Sequence, residues 1–280
     1  MRLKPLEILK DFESKLKAAG KDIPRYVLMQ LLRDLFSMPE SKILLNEDVE
    51  FPDTAIEKLE DALGRLLKDE PLDYIIGWKK FMNVVLKVDR RVLIPRPETE
   101  GLVEMVLSEC NSNRFFADVG TGSGAIALSI AKELPDAMVY ATDISSDALE
   151  LAAENACTNQ IRNVKFLLGP CLTPIKPFID EVEVIVSNPP YIKAERLSTL
   201  DNSVRKYEPL TALNGGADGM SFYREFLKEL PHGKKVFLEI ADYSATTLEK
   251  LVKELRNDYV IHLKKDLFGL RRYAILNPVL

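Results

Sequence analysis

The fold of this protein is encoded most clearly in the stretch Phe115-Phe116-Ala117-Asp118-Val119-Gly120-Thr121-Gly122-Ser123-Gly124. A short apolar run with one acid is typical of a buried strand, and the glycines after it let the backbone pass close to a ligand. A helical pattern follows at 125–134, and a second strand at 138–142 ends in Asp143. This order predicts a βαβ unit with a ligand site at the carboxyl edge of its strands.

The alternation of helix and strand continues on the carboxyl-terminal side of this unit. Helical patterns at 147–157, 222–230 and 246–255 alternate with strand patterns at 164–168, 182–187 and 236–240, and two last strands at 260–263 and 273–276 indicate a hairpin. The pattern predicts an α/β fold, a Rossmann-like doubly wound sheet with a terminal antiparallel hairpin. Residues 190–219 show little periodicity, and a loop of that length in a compact domain favours a substrate lid.

The amino-terminal part of the chain has a helical pattern in place of the alternation of helix and strand. Residues 1–74 carry three apolar stripes at helical spacing, and Thr54-Ala55-Ile56-Glu57 has the form of a capping box, so we expect a small helical domain that docks a partner. Residues 75–94 predict a β-hairpin linker, with strands at 81–88 and 92–94 around a turn at 89–91. We expect residues 95–280 to form a second domain, the catalytic domain if the chain is an enzyme.

Composition narrows the classes of function. The 280 residues are 46% hydrophobic, carry a net charge of -5 and contain no long basic run, so nucleic acid is not an expected partner. Three cysteines and two histidines, without metal-ligand spacing, predict neither a disulfide framework nor a metal site. A charged amphipathic start and the lack of a long apolar run predict a cytoplasmic protein without a membrane segment.

A second stretch carries the chemistry, the run Val184-Ile185-Val186-Ser187-Asn188-Pro189-Pro190-Tyr191. The β-branched residues predict a buried strand, and the prolines end it, which places Asn188 at the carboxyl edge of the sheet. A planar NH2 group conjugated to a carbonyl or a ring offers two N–H donors. The side-chain oxygen of Asn188 and the carbonyl of Pro189 would accept both, while Tyr191 stacks on the flat face. The simpler interpretation is a proline-rich turn with a core tyrosine.

The glycine loop leaves a choice of cofactor open. Asp143 lies where an acid hydrogen-bonds ribose hydroxyls, and Gly122-Ser123-Gly124-Ala125-Ile126-Ala127 also satisfies a dinucleotide fingerprint. Asp118 before the glycines favours a cationic ligand over a pyrophosphate, and Asn188 has no evident use in hydride transfer. Glu98 and Glu100 follow the rigid Pro95-Arg96-Pro97 segment. They fit the start of a helix as well as a charged lid.

Taken together, these motifs resemble the class I S-adenosylmethionine-dependent methyltransferases that act on planar NH2 groups. The segment Leu93 to Glu100, the segment Gly215 to Arg224, the helical start and the hairpin make the chain similar to the HemK/PrmC family over nearly its whole length. That resemblance implies methylation of the glutamine amide in the Gly-Gly-Gln loop of peptide chain release factors. One departure is the stretch Gly169-Pro170-Cys171, where many class I methyltransferases place an acid that meets the adenine amino group.

The resemblance also assigns residues. It implies that the cofactor S-adenosylmethionine is bound by Asp118, Gly120, Thr121, Gly122, Ser123, Gly124, Asp143 and Asn188, and that the target glutamine is held by Asn188, Pro189, Pro190 and Tyr191, with Asn188, Pro189 and Tyr191 as the catalytic set. Three other functions stay open: the same chemistry on a ribosomal protein, amino-methylation of adenine in DNA, and a non-catalytic cofactor-dependent scaffold. The DNA alternative requires a positive cleft and a base-flipping module.

Overall fold

The computed structural model describes residues 2–279, which divide into two compact units. One unit takes the chain up to Gly77 together with Asn202–Tyr207, and the other takes the remainder. The elements in chain order are β1 (Arg2–Leu3), α1 (Pro5–Ala18), α2 (Arg25–Leu35), α3 (Glu40–Leu44), β2 (Val49–Glu50), α4 (Ala55–Leu67), α5 (Leu72–Ile76), β3 (Trp78–Phe81), β4 (Val84–Lys87), α6 (Pro97–Glu109), β5 (Phe115–Val119), α7 (Ala125–Glu133), β6 (Met138–Asp143), α8 (Ser146–Thr158), β7 (Val164–Leu168), β8 (Val184–Ser187), α9 (Asn202–Tyr207), α10 (Leu210–Leu213), α11 (Ser221–Glu229), β9 (Lys235–Glu239), α12 (Ala245–Leu255), β10 (Tyr259–Lys265) and β11 (Arg271–Pro278).

The larger unit is built on a seven-stranded sheet in the order β10-β11-β9-β8-β5-β6-β7. Strands β7, β6, β5, β8 and β9 run parallel, and β11 pairs antiparallel with both β9 and β10. This arrangement confirms the predicted α/β sheet with a terminal hairpin. The chain runs outward from β5 to β6 and β7, and then returns to β8, which lies on the other side of β5. Such a reversal opens a crevice at the carboxyl ends of the strands.

Burial explains why the central strands read as continuous apolar runs. Val184, Ile185 and Val186 of β8 are each 1% exposed or less, because helices cover parallel sheets on both faces. The helix α11 contributes Tyr223, Phe226 and Leu227 to the same core. Burying an aliphatic side chain of this size stabilises the fold by about 1.5–3 kcal/mol.

The smaller unit is helical, with Leu9, Leu28 and Leu63 among the residues of its core. It contains two short helices, α3 and α5, and the strand pair β1–β2, none of which the apolar stripes predicted. The expected capping box is wrong, because the side chain of Thr54 accepts no cap hydrogen bond from any residue in 2–279. Over the same residues, no helix has the length and apolarity needed to cross a bilayer.

The hairpin exists, but its turn lies earlier than the sequence predicted. Strands β3 and β4 pair antiparallel around Met82 and Asn83, and Met82 adopts a φ of 46°. The residues expected to be its turn form a separate bend, in which the side chain of Asp89 accepts from the backbone N–H of Arg91 at 3.0 Å. Residues 92–94 are therefore not a strand. The side chain of Asp89 accepts a backbone hydrogen bond that a neighbouring strand would otherwise accept, which favours a bend over a strand.

The insertion at 190–219 is more ordered than a loop. It contains a 3-10 helix at Ala194–Thr199 and the short helices α9 and α10. None of these is long enough to show a helical period in the sequence. The helix α9 belongs to the smaller unit, where Lys206 pairs with Asp69 at 3.0 Å and the hydroxyl of Tyr207 donates to the carbonyl of Lys68 at 2.8 Å.

Two asparagines of α8 hydrogen-bond the backbone of β4 as a neighbouring strand would. The amide of Asn155 accepts from the N–H of Lys87 at 2.7 Å and donates to its carbonyl at 3.1 Å. One turn later, the amide of Asn159 does the same for Val85, at 3.1 and 2.8 Å. Asn155 also donates to the carbonyl of Ser123 at 2.9 Å, which ties the hairpin to the glycine loop.

We expect Asn155→Ala to lower the free energy of unfolding by about 2–4 kcal/mol, because it leaves the buried carbonyl of Ser123 and two backbone groups of Lys87 without the fully buried amide that binds them. Asn155 is fully buried, whereas Asn159 is partly exposed and water can replace its bonds. Asn159→Ala is therefore the matched control, with an expected loss below about 1 kcal/mol. Urea unfolding of both variants measures the difference, and equal losses would contradict the role of burial.

Candidate active site

A cavity of about 620 Å³ lies at the carboxyl ends of β5, β6 and β8 in the larger unit. Its wall brings together residues that are far apart in the sequence. It includes Pro95, Arg96, Thr99, Gly120, Thr121, Gly122, Ser123, Asp143, Gly169, Pro170, Cys171, Asn188, Pro190 and Leu210. The glycine loop and the asparagine predicted to carry the chemistry thus share one cavity.

The glycine loop adopts a conformation that other residues reach only with strain. Gly120 and Gly122 have φ values of 77° and 55°, and a Cβ added at either position would meet no atom within 4 Å. The glycines are therefore required by the backbone conformation rather than by packing at these two points. Two backbone bonds hold the start of the loop, because the N–H groups of Gly120 and Thr121 both donate to the carbonyl of Thr142, at 2.9 and 2.8 Å.

Asp118 lies behind this loop, is fully buried, and is not part of the cavity wall. Its Oδ2 accepts from the hydroxyl of Thr121 at 2.7 Å and from the N–H of Ala127, in the first turn of α7, at 3.1 Å. Its Oδ1 has no hydrogen-bond partner among residues 2–279. Burial raises the pKa of this carboxyl to about 7, against the bonds from Thr121 and Ala127, which lower it. Asp118 thus organises the loop from behind.

Asp143 stands in the cavity wall at the end of β6. One carboxylate oxygen accepts from the N–H of Gly122 and the other from the N–H of Ser145, both at 2.9 Å. Burial raises the pKa of the carboxyl, and these backbone bonds oppose that shift. Each carboxylate oxygen has a second lone pair, so the group can accept further hydrogens from a bound diol.

The end of β7 supplies an uncharged wall. Gly169, Pro170 and Cys171 line the cavity, where the sequence shows no acid. Burial raises the pKa of the Cys171 thiol to about 12, so it is protonated at neutral pH. Phe222 from α11 lines the same cavity. Glu225 of α11 lines the cavity as well, so an acid from α11 lies in this wall although the end of β7 supplies none.

Asn188 follows β8 directly and lies in the cavity wall, as the sequence predicted. Its Nδ2 donates to Oγ1 of Thr99 at 3.0 Å. The hydroxyl of Thr99 in turn donates to Oε2 of Glu239 at 2.8 Å. The amide is therefore held by α6 and β9 from behind. Neither Thr99 nor Glu239 was singled out from the sequence, although Thr99 lies in the Pro95 to Glu100 segment that was.

The other members of the tetrapeptide occupy different positions. Pro190 lines the cavity, whereas Pro189 is buried and Tyr191 is not part of the wall. The hydroxyl of Tyr191 donates to Oε1 of Glu239 at 3.2 Å. Burial raises the pKa of Glu239 to about 7, against lowering by Thr99, Arg272 and Tyr191, and this carboxyl is 1% exposed. Stacking of Tyr191 on a substrate stays a prediction.

The segment after α9 forms a fixed part of the wall. Glu208 is buried, and its carboxylate accepts from Arg96 at 2.6 Å and from the N–H of Ile94 at 3.3 Å. Behind it, Gly215 packs so closely on Tyr191 that an added Cβ would lie 2.8 Å from the tyrosine Cα. The Arg96–Glu208 pair was missed because ion pairs between distant residues leave no local pattern in a sequence.

Two buried carboxyls make the stability of the fold depend on pH. The unfolded chain ionises Asp118 and Glu239 near 3.8 and 4.5, whereas the folded chain holds their protons up to about 7. Stability from this source is present below pH 4 and is lost as the pH rises through about 7. We therefore expect Asp118→Asn to unfold at a higher temperature than the parent protein at pH 8, and to lose that advantage at pH 5.

The control is a carboxyl with the opposite shift. Arg256 lowers the pKa of Asp258 to about 2, so Asp258→Asn should reduce the melting temperature at pH 8. Calorimetric scans between pH 5 and pH 8 measure both variants. If the melting temperature of Asp118→Asn equalled that of the parent protein at every pH, the raised pKa assigned to Asp118 would be contradicted.

Comparisons with known proteins identify the family. Residues 98–205 match the model of the methyltransferase small domain, and residues 7–77 match the PrmC N-terminal domain. The release factor glutamine methyltransferase of Thermodesulfovibrio yellowstonii is 40% identical over 83% of this chain and 85% of its own length. That of Streptococcus pneumoniae is 36% identical over 98% and 99%.

Among solved structures, the hMettl16 catalytic domain bound to an RNA hairpin shares the fold, with a TM-score of 0.56, 14% identity and coverage of 85% of this chain and 86% of that one. A methyltransferase from Pyrococcus furiosus does so with a TM-score of 0.50 and 18% identity, over 78% and 98%. At these identities the likeness concerns the fold alone. The two matched domains and the near-complete alignment with curated relatives show that the chain belongs to the HemK/PrmC family of release factor glutamine methyltransferases.

Proposed function

We propose that this protein transfers a methyl group from S-adenosylmethionine to the side-chain amide nitrogen of the glutamine in the Gly-Gly-Gln loop of peptide chain release factors. The observation that carries the proposal is the position of Asn188. Its amide lies in the same cavity wall as the glycine loop and Asp143, and its Nδ2 donates to Thr99. This bond turns the amide oxygen away from Thr99, where it can accept hydrogens from a substrate.

The cofactor half of the site fits S-adenosylmethionine. The open space over Gly120 and Gly122 admits a ligand against the backbone, and the free lone pairs of Asp143 suit ribose hydroxyls. The uncharged segment at Gly169 and Cys171 suits the adenine ring, and either backbone groups there or Glu225 of α11 would take the place of the usual acid. When bound, the cofactor supplies an electrophilic methyl group on a sulfonium. Asp118 acts through the loop, which it holds in place from behind.

The acceptor half binds a planar NH2 group. The oxygen of Asn188 accepts one of its hydrogens, and we propose the carbonyl of Pro189 as the second acceptor and the ring of Tyr191 as the stacking surface. An amide nitrogen is a weak nucleophile because its lone pair is delocalised. Two acceptors favour pyramidalisation of the nitrogen and stabilise positive charge as it develops there. No strong base is required, since the N–H becomes acidic only after methyl transfer.

The protein relatives favour a release factor as the substrate. Curated relatives that match 83%, 98% and 96% of this chain carry that substrate in their names. A net charge of -5 disfavours a nucleic acid backbone as the main binding surface. We propose that the helical unit up to residue 74 docks the release factor, that residues 75–94 link it to the catalytic domain, and that the reaction takes place in the cytoplasm.

For the cofactor, we expect S-adenosylmethionine to raise the melting temperature, whereas NAD should leave it unchanged. Asp143→Ala should weaken binding of S-adenosylmethionine by about 1–3 kcal/mol, because it removes an acceptor of buried hydroxyls. The exposed Asp147 on the following helix provides the matched control, since Asp147→Ala should bind normally. Titration calorimetry measures each affinity. Tight binding of NAD would overturn the cofactor assignment.

For the substrate, we expect intact release factor to accept labelled methyl groups far faster than a short peptide with the same glutamine, because remote contacts orient the reacting group. A ribosomal protein and duplex DNA at low salt complete the comparison. Release factor as the best acceptor, labelled at that glutamine, supports the proposal. DNA or a ribosomal protein as the best acceptor would refute it.

Asn188→Ala tests the chemistry in the same assay. Loss of one positioned acceptor should lower the single-turnover rate by about 10²–10³-fold. Because Asn188 is also among the residues expected to bind the cofactor, the rate is measured at saturating S-adenosylmethionine, which separates a chemical defect from a loss of cofactor. A near-normal rate in this variant would show that the amide oxygen is not the acceptor.

A further inference from the structure

We propose that Thr99 and Glu239 are positioning residues that determine which end of the Asn188 amide faces the substrate. This inference rests on the proposed function, in which the oxygen of Asn188 must meet a hydrogen-bond donor. The two residues act through Asn188.

The direction of the hydrogen bonds follows from what each group can do. An ionised carboxylate only accepts, and a hydroxyl has a single hydrogen to donate. The hydrogen of Thr99 goes to Glu239, at 2.8 Å, so towards Asn188 the same oxygen can only accept. The group on Asn188 that donates is Nδ2, which lies 3.0 Å from Thr99. The amide oxygen is thereby turned away from Thr99.

The orientation matters because the two ends of an asparagine amide have nearly the same shape. A flipped Asn188 would present N–H groups to the N–H groups of the target glutamine, and donors facing donors leave both without partners. A short side chain at the end of a strand does not by itself favour one orientation. The chain of bonds from Glu239 supplies that preference.

Glu239 is well placed to act as the fixed end of this chain. It is the last residue of β9, is 1% exposed, and lies opposite Tyr273 in the pairing of β9 with β11. Its backbone carbonyl accepts from the hydroxyl of Tyr223 at 2.7 Å, and its second carboxylate oxygen accepts from Tyr191. One buried carboxylate therefore holds both Asn188, through Thr99, and the side chain of Tyr191.

The charge on Glu239 sets the direction of the whole chain of bonds. The titratable groups that act on it come from α6, from the tetrapeptide, from α11 and from β11, and they are Glu98, Tyr191, Tyr223, Arg272 and Tyr273. Burial raises the pKa of Glu239 to about 7. Once protonated, Glu239 can donate to Thr99 and release the threonine hydrogen towards Asn188. We therefore expect the rate of methyl transfer to fall as the pH drops below about 7.

The experiment is a double-mutant cycle on the complete protein, with release factor and S-adenosylmethionine as substrates. Thr99→Val keeps the shape of the side chain but removes the hydroxyl, and Thr99→Ser restores it. We expect Thr99→Val to lower kcat by about 10–100-fold, with KM for release factor and the affinity for the cofactor within about threefold. Thr99→Ser should regain most of the rate. In an Asn188→Ala background, Thr99→Val should cause no further loss.

Melting temperatures of all variants show whether they are folded. If Thr99→Val fails to fold, Glu239→Gln takes its place in the cycle, since an uncharged amide can donate to Thr99 and should also remove the pH dependence of kcat below pH 7. An unchanged kcat in the folded variant, or losses that simply add in the double mutant, would overturn the inference. Absence of release factor methylation by the unaltered protein would instead refute the proposed function.

Discussion

An ionised carboxylate accepts hydrogen bonds and cannot donate them, and above about pH 7, where Glu239 at the end of a parallel strand is ionised, the site is arranged around that restriction. Glu239 at the end of β9 receives the hydroxyls of Thr99 and Tyr191, so each of these side chains has its hydrogen directed inward. The hydroxyl oxygens of Thr99 and Tyr191 can then only accept any further hydrogen bond. The ordering extends to Asn188, although that residue does not bond to Glu239.

Asp118 is a second buried carboxyl that accepts hydrogen bonds, on β5, which is separated from β9 by β8. It receives Thr121 and the first turn of α7, and so shapes the glycine loop while staying out of the cavity. Both acids carry a desolvation cost that an uncharged residue would avoid. The fold thus gives up some stability at neutral pH for a rigid arrangement at the edge of the sheet.

The sequence predicted the elements that depend on local patterns. The strands β5 to β9, the helices α7, α8 and α11 and the terminal hairpin follow from apolar periodicity, and Asn188 at a strand end follows from the prolines behind it. The family assignment rested on motifs of this local kind. The domain boundaries and the individual ligand contacts remain predictions.

The remaining features depend on residues that meet only after folding. Thr99 and Glu239 are 140 positions apart, so no local pattern connects them. The hairpin turn was misplaced because Met82 in a left-handed conformation gives no turn signal, whereas Asp89-Arg90-Arg91 does. Asp118 was expected to face a cationic ligand. The sequence showed its strand position but not the loop that covers it.

The asparagine pair on α8 has a consequence for how this protein behaves in a crowded solution. The outer edge of a two-stranded hairpin is a row of unpaired N–H and C=O groups, which can recruit a strand from another chain. Here the amides of Asn155 and Asn159 already occupy the groups of Lys87 and Val85 on that edge. At these positions the side chains of the hairpin's own unit occupy the backbone groups that a strand from another chain would need for edge-to-edge pairing.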